Sequence, residues 1–171
     1  MKKPWIEADK STRGIAPAVI LIDPKFPFNV GSTVRAAACF GVKQVWFTGD
    51  RIEKELEGRK RLPREERMKG YKEVDLIHFN FPFDMFENVA PVCMEVRENS
   101  EPLTSFNHPE NAIYVFGPED GSIGKPILRL CHRFVVIPTK HCVNLAAAVY
   151  ITLYDRYSKL WKERRTAWYV P

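Results

Sequence analysis

The sequence predicts an α/β fold in which helices flank a mostly parallel sheet of six strands. Short apolar runs rich in β-branched residues alternate with helical stretches along the chain. The runs are apolar at every position, whereas a strand with one face in water alternates apolar and polar residues. A strand that is apolar on both faces must be covered on both, as in a parallel sheet between two layers of helices.

The predicted elements alternate from the first strand to the last helix. The six strands are expected at residues 18–22, 44–48, 74–79, 91–96, 112–116 and 133–137. Asn29 is expected to cap a first helix that ends at Gly41, and one long helix is expected from about Cys142 to Arg165. Shorter helices are expected near 84–88 and 126–131, and the charged 51–70 segment is either helical or a loop.

Length and composition predict one globular domain spanning residues 1–171. Of the 171 residues 45% are hydrophobic and 27% are charged, and no apolar run has the length that crosses a membrane. No apolar segment follows the N-terminal lysines, so we expect no secretory signal and a cytoplasmic location. The four cysteines are then expected to be reduced. No metal site is expected, because neither Cys131-His132 nor His141-Cys142 has ligand spacing.

Positive charge is concentrated in two parts of the chain. The net charge of +5 suits a polyanionic partner but does not require one. One group lies near the middle of the chain and a second near its end, within residues 156–165. The candidates for contacts with RNA phosphates are Arg59, Lys60, Arg61, Arg64 and Arg67. Charge alone leaves two solvated helix faces as an equal alternative.

The last predicted helix is apolar on two faces. One stripe includes Val149 and Leu153, and another consists of Val143, Ala147 and Ile151. One face can pack on the sheet, and the other needs a partner. A second copy of the chain is the economical explanation, with an unusually deep core position as the alternative.

Polar motifs follow three of the predicted strands, at the edge where open α/β sheets bind ligands. The first runs from Asn29 to Arg35 and contains Gly31. Gly31 and Arg35 share a helix face, and helix side chains lean toward the N-terminus, so Arg35 is expected over Gly31 beside the free N–H groups of the first turn. This predicts an anion or phosphate site, with an unrelated surface arginine as the simpler alternative.

The second motif is Phe116-Gly117-Pro118-Glu119-Asp120-Gly121, and the third runs from Ile137 to Leu145. Gly117 permits a ligand to approach the backbone closely, and Glu119 lies on the rim of its loop. The chain contains no G-x-G-x-x-G segment, and 121–126 lacks the spacing and the hydroxyl of a P-loop. These absences argue against a dinucleotide-dependent dehydrogenase and against an NTPase.

Together the three motifs resemble those of the SpoU/TrmH branch of SPOUT RNA methyltransferases. The patterns are N-x-G-x-x-x-R-x-A after the first strand, F-G-P-E-x-G after the fifth, and I-P followed by N-L-x-x-A-V at the last helix. Their order and the strand ends they occupy match as well. The resemblance covers residues 17–160 and is to the minimal members of the branch, which have no added RNA-binding domain and act on tRNA.

The resemblance implies a trefoil knot within residues 112–160 and S-adenosylmethionine bound in it, held mainly by backbone groups. By motif position, the cofactor contacts fall on Met94, Gly117, Ile137, Cys142 and Val143. A homodimer is implied, with the site completed across the interface. The implied activity is methylation of a ribose 2′-hydroxyl in tRNA, with the anticodon loop favoured and rRNA as the alternative substrate.

The catalytic positions implied by the resemblance are Asn29, Arg35, Glu119 and Asn144. The family's arginine is the proposed base for the ribose proton. A guanidinium stays protonated at neutral pH, so positioning of phosphate and electrostatic stabilisation by Arg35 is at least as good a hypothesis. Asn29, Glu119 and Asn144 would orient the ribose, the motif loops and the arginine.

Two departures from the family pattern keep other functions open. The family usually has Ser-Leu-Asn where this chain has Cys142-Val143-Asn144, and its loop before that asparagine is a few residues longer. An RNA-binding protein that keeps the fold without catalysis is therefore an alternative of another class. A flavodoxin-like binding domain is a third possibility, but it leaves the three motifs unexplained.

Overall fold

Eight parallel strands form a single sheet in the computed structural model, which describes residues 3–57 and 71–164. The strands are β1 (Ile6–Glu7), β2 (Ala18–Leu21), β3 (Gln44–Phe47), β4 (Asp75–His78), β5 (Ala90–Met94), β6 (Glu101–Pro102), β7 (Ala112–Phe116) and β8 (Arg133–Val136). Their order across the sheet is β1-β4-β3-β2-β7-β5-β8-β6. Because these strands are all parallel, their carboxyl ends lie at one edge.

Helices connect and cover the strands in this part of the chain. They are α1 (Pro27–Cys39), α2 (Arg51–Leu56), α3 (Lys125–Leu128) and α4 (Leu145–Arg164), with short 3₁₀ turns at Tyr71–Glu73, Pro82–Met85 and Leu103–Ser105. The helices α1 and α4 pack against each other on one face of the sheet. None of the helices within 3–57 and 71–164 is long and apolar enough to cross a membrane.

Burial on both faces explains why the strands are apolar at every position. All four residues of β2 are fully buried. Successive side chains point to opposite faces, so Val19 and Leu21 join a hydrophobic cluster with α1 and α4. Ala18 and Ile20 join a second cluster on the other face. The predicted parallel sheet with both faces covered is therefore confirmed.

The sheet has two more strands than the six predicted. The additional strands, β1 and β6, are two residues long and lie at the two edges. Two residues are too few to produce a hydrophobic period, and a proline such as Pro102 argues against a strand except at an edge. The six predicted strands are all present, with ends that differ by at most two residues.

Both long helices begin at a different residue from the one predicted. The first starts at Pro27, so Asn29 lies inside the first turn and does not cap the helix. A proline fits the first helical position because its missing N–H would have no partner there. The last helix starts at Leu145, and Asn144 is its cap, since its Oδ1 accepts two backbone N–H groups at 2.9 and 3.2 Å.

The other predicted helix boundaries are close to those observed. Gly41 ends α1 as predicted, with a φ of +73° that an L side chain rarely adopts. The N–H of Val42 then bonds to the carbonyl of Ala37 at 2.9 Å, which satisfies one of the last carbonyls of the helix. The two predicted short helices are present with shifted ends, as the 3₁₀ turn at Pro82–Met85 and as α3.

A buried polar network fastens α4 to the sheet. His108 lies between β7 and α4, with Nδ1 2.6 Å from the Tyr114 hydroxyl and Nε2 2.8 Å from the Asp155 carboxylate. Lys159 pairs with the same carboxylate at 2.6 Å. The His108 side chain is 1% exposed. Burial lowers the pKa of His108 because desolvation disfavours the imidazolium, and the opposing effect of Asp155 is smaller.

Mild acidification should destabilise the protein through His108. Below its ordinary pKa of 6.5, the unfolded chain binds a proton that the native protein, with its lowered pKa, does not bind. The free energy of unfolding should fall as the pH drops through that value and level off below the folded pKa. Urea denaturation from about pH 8 to about pH 5 should show a steeper dependence in the wild type than in His108→Gln. Equal slopes would contradict this assignment.

Candidate active site

Four loops meet at the carboxyl edge of the sheet. The strands β2, β7, β5 and β8 are neighbours in this order. The segments that follow them, 22–26, 117–124, 95–100 and 137–144, therefore lie side by side at the edge where parallel sheets bind ligands. The second and third sequence motifs lie in two of these segments, and the first begins α1 directly after a third.

The Glu119 carboxylate holds the start of α1. Its Oε2 accepts the N–H of Lys25 at 2.8 Å, and its Oε1 accepts the N–H of Phe26 at 3.4 Å and the side-chain amide of Asn29 at 2.7 Å. Phe26, the residue before the helix, has no side chain that can cap it. Glu119 therefore caps α1 from another loop, and its negative charge faces the positive end of the helix dipole.

Asn29 connects this cap to the start of α4. Its Oδ1 accepts a hydrogen bond from the Asn144 side-chain amide at 3.0 Å, and Asn144 in turn caps α4. Asn29 is 1% exposed, and only its NH₂ group can donate to Glu119, which fixes the orientation of the amide. Three of the four predicted catalytic residues therefore form a continuous link, the Glu119–Asn29–Asn144 bridge, between the first turns of two helices.

A group of ion pairs lies beside the bridge. Arg51 donates two hydrogen bonds to the Asp120 carboxylate at 2.9 and 2.8 Å, and Lys25 Nζ lies 3.0 Å from the same carboxylate. Arg51, and after it Lys25, lowers the pKa of Asp120 well below its usual range. These residues join the loops after β2, β3 and β7. None of these three residues was predicted to have a role from the sequence, although each follows closely on a strand end.

Arg35, the fourth predicted catalytic residue, takes no part in the hydrogen bonds of the bridge. It is exposed on α1 and makes no hydrogen bond or ion pair with another described residue. It lies near Tyr150 of α4, whose pKa is raised by burial while the positive charge of Arg35 acts in the opposite direction. Gly31, by contrast, is buried. The two residues are four apart within α1 and share a helix face, and the anion site beside the first turn stays a prediction.

A cavity of about 250 Å³ opens between the loops after β5, β7 and β8. This volume is close to the lower end of small-ligand clefts, ~300 Å³. The cavity walls are mostly apolar. The residues predicted to contact the cofactor all line it, namely Met94, Gly117, Ile137, Cys142 and Val143. Glu119 lines it too, so the cavity and the bridge share one residue.

Gly117 allows the loop after β7 to fold tightly at the cavity. A Cβ at this position would lie 3.0 Å from Cγ1 of Ile123 and would force that side chain to move. Packing within the loop therefore favours a residue without a side chain at this position, in addition to the predicted approach of a ligand to the backbone.

Two further predictions concern the residues that contact RNA and the absence of a metal site. Arg59, Lys60, Arg61, Arg64 and Arg67 lie outside the residues that the structure describes. They follow α2, which itself begins after the carboxyl end of β3. Within the described ranges, no group of three or more His, Cys, Asp or Glu side chains is placed to hold a metal ion.

Comparison with known protein families gives an extended match. A family model described as the SpoU rRNA Methylase family matches residues 16–154. The matched span includes the three sequence motifs, the Glu119–Asn29–Asn144 bridge, and every residue that lines the cavity.

Individual relatives agree with this match. The tRNA (cytidine-2′-O-)-methyltransferase TrmJ of Methanocaldococcus jannaschii is 28% identical over 157 residues, which cover 83% of this chain and 67% of the relative. A solved structure concerned with the 2-OH methylation of C/U34 on tRNA is 25% identical, with a TM-score of 0.67 over 84% of this chain and 89% of that one. The SpoU methyltransferase AviRb of Streptomyces viridochromogenes, in complex with AdoMet, has a TM-score of 0.70 at 16% identity over 89% and 62%, a likeness of fold alone.

Removal of the Asn29 amide should separate Glu119 from Asn144 and destabilise the protein. We expect Asn29→Ala to lose roughly 1–3 kcal/mol of unfolding free energy, because both partners lose a buried hydrogen bond. Asn29→Asp should lose more, since it would place a second carboxylate against Glu119. Urea unfolding measures both, with the exposed Asn99→Ala as the matched control. If Asn29→Ala were as stable as this control, the bridge would have no structural role.

Proposed function

Since the chain belongs to the SpoU rRNA Methylase family of S-adenosylmethionine-dependent RNA methyltransferases, we propose that its substrate is a ribose 2′-hydroxyl of tRNA, with the anticodon loop favoured. The TrmJ relative is a tRNA cytidine-2′-O-methyltransferase, and one structural relative concerns C/U34 on tRNA. We treat residues 1–171 as one methyltransferase domain. Ribosomal RNA is the alternative substrate of the same reaction.

The observation that carries the proposal is the cavity that shares Glu119 with the Glu119–Asn29–Asn144 bridge. It lies at the carboxyl edge of a parallel sheet, where ligands bind in such folds. The five residues that motif position assigned to the cofactor come from three separate parts of the chain, the end of β5 and the loops after β7 and β8, yet they line this one cavity. Their chance placement around one cavity is a poor alternative explanation.

The cavity fits S-adenosylmethionine by the chemistry of its lining. Apolar walls such as Ile137 and Leu145 suit an adenine ring and the methylene groups of the cofactor, and Gly117 and Gly121 leave backbone groups accessible. When bound, the cofactor supplies a methyl group activated by a sulfonium sulfur. The residues that would hold it are Met94, Gly117, Ile137, Cys142 and Val143.

The bridge residues are best explained as positioning residues. Glu119 already accepts hydrogen bonds from three groups at the start of α1, which leaves it poorly suited to take a proton from the ribose. Asn29 and Asn144 are engaged with each other and with the helix ends. Their proposed role is to hold the loop after β7 and the start of α4 at fixed positions around the cavity, which keeps the reacting groups oriented.

The position of Arg35 favours a homodimer in which this residue acts on the partner's site. Arg35 does not line the cavity of its own chain, and we infer that it lies on one exposed face together with apolar side chains of α1 and α4. Phe28 is 51% exposed, Ile151 37% and Tyr154 61%. A second copy would bury this face. It would also place Arg35 beside the partner's cavity, where a guanidinium can stabilise charge and orient an RNA phosphate.

The sheet order is consistent with the trefoil knot implied by the family. The strand β7 inserts between β2 and β5, and β8 inserts between β5 and β6. Strands that come late in the sequence thus lie between strands that come earlier, as is required if the C-terminal part of the chain passes through a loop formed by the preceding part. We propose that the knot lies within residues 112–160, around the cavity.

RNA binding is proposed to involve the basic segment after α2. Arg59, Lys60, Arg61, Arg64 and Arg67 follow α2 along the chain and would contact phosphates without reading bases. Phosphate contacts of this kind add affinity for any RNA. Selection of the nucleotide would then depend on which ribose reaches the cavity.

Methylation of purified RNA tests the proposed reaction. Wild-type protein with labelled S-adenosylmethionine should methylate tRNA, and nucleoside mass spectrometry should find a 2′-O-methylated nucleoside. We expect Arg35→Ala to lower turnover by at least ~100-fold with little change in cofactor affinity. Arg35→Lys should not restore it, because an ammonium lacks the forked geometry. If only rRNA were methylated, the proposed tRNA substrate would be wrong. RNA binding without methylation would favour the non-catalytic alternative.

Mixing two inactive variants tests the shared site. Arg35→Ala lacks the arginine, and Gly117→Val disrupts the cavity. If Arg35 acts on the partner, mixed dimers contain one intact site, and an equal mixture should regain about a quarter of the wild-type rate. No recovery would place Arg35 and the cavity of the same protomer in one site.

A charged residue in the proposed interface tests the dimer itself. Ile151→Asp should sediment as a monomer or aggregate, since it buries an unpaired charge in the proposed interface.

A further inference from the structure

The polar side chains of the cavity differ in how many of their hydrogen-bonding groups already have a partner. Four polar side chains line it: Glu95, Glu119, Thr139 and Cys142. Both oxygens of Glu119 accept hydrogen bonds at the start of α1. The Thr139 hydroxyl donates to the carbonyl of His141 at 2.7 Å. A cysteine thiol is a weak hydrogen-bonding group. Glu95 is therefore the lining residue with unused capacity to accept strong hydrogen bonds.

Glu95 is held firmly at the end of β5. Its N–H bonds to the carbonyl of Val135 at 3.1 Å, and its own carbonyl accepts the Ser100 hydroxyl at 2.8 Å. Its Oε1 accepts the N–H of Val96 at 3.1 Å, while Oε2 has no partner among the described residues. The side chain is half-buried at the cavity wall. A carboxylate with one anchored oxygen and one free oxygen is pre-organised to accept from a ligand.

We propose that Glu95 is a specificity-determining residue that accepts hydrogen bonds from the ribose hydroxyls of S-adenosylmethionine. This inference rests on the proposed cofactor site and assigns one of its contacts. An ionised carboxylate only accepts hydrogen bonds, and a ribose offers two adjacent hydroxyl donors. In other nucleotide-binding α/β folds, an acidic residue after a strand binds the ribose 2′-hydroxyl. Glu95 has the same residue type at the same kind of position.

The alternative donors on the cofactor are the amino group of its methionine part and the adenine amine. A carboxylate attracts an ammonium as well as a hydroxyl, so charge alone does not separate them. The strand-end position favours the ribose. Two ligands distinguish these partners, because 5′-methylthioadenosine retains the adenosine and the thioether but lacks the amino-acid part. Its 2′-deoxy counterpart lacks only one of the proposed donors.

Calorimetric titration of the full-length protein tests the assignment without requiring activity. We expect Glu95→Ala to weaken binding of S-adenosylhomocysteine and of 5′-methylthioadenosine by the same factor, about 10- to 100-fold. Removal of the 2′-hydroxyl from 5′-methylthioadenosine should weaken its binding to the wild type. The same removal should weaken its binding to Glu95→Ala very little, because the two changes delete the same interaction. Glu98→Ala, an exposed carboxylate in the same loop outside the cavity lining, is the matched control and should bind as the wild type does.

The other outcomes would each refute a specific contact or site. Weaker binding of S-adenosylhomocysteine alone, with 5′-methylthioadenosine unaffected, would assign Glu95 to the amino group and refute the ribose contact. Unchanged binding of both ligands in Glu95→Ala would refute any contact, while the proposed function would stand. No binding to the wild type would instead refute the proposed cofactor site. Equal thermal unfolding midpoints for Glu95→Ala, Glu98→Ala and the wild type exclude a general loss of folding.

Discussion

The hydrogen bond between Asn29 and Glu119 is the constraint on which the geometry of this edge depends. It ties a buried amide in the first turn of α1 to a carboxylate in a loop 90 residues later in the sequence. Through Glu119 the same contact caps a helix that has no cap of its own, and through Asn144 it fixes where α4 starts. Both helices are thereby positioned relative to the loop after β7. The loop after β7 and the start of α4 both line the cavity, so the bridge helps to set its shape.

Apolar and polar groups occupy different positions at this edge of the sheet for a physical reason. The cavity walls are the ends of buried strands, so they are apolar by the same requirement that makes the sheet apolar on both faces. Polar groups are concentrated where backbone hydrogen-bonding groups end, at helix starts and in loops, because those groups need partners. Glu119 satisfies such groups and closes one side of the cavity at the same time. Its structural role and its place in the site therefore cannot be separated.

The surface that holds Arg35 has the opposite character. Several large apolar side chains of α1 and α4 are exposed in one copy of the chain, and we propose that a second copy covers them. A symmetric dimer is an economical solution, since one patch then serves both copies. Arg35 takes no part in the bridge of its own chain, and the proposed shared site would place it beside the partner's cavity.

The sequence by itself determined the fold class and the six main strands, which follow from local signals such as apolar runs and polar motifs at strand ends. Five of the residues that line the cavity were predicted from the resemblance to the family, not from local signals. Two edge strands escaped detection because two residues have no periodicity. Tertiary structure alone decided that Asn29 is a buried bridge and not a cap, that Glu119 caps a distant helix, and that Arg35 faces outward. Each of these depends on the partner that packing brings to a side chain, and that partner is remote in sequence.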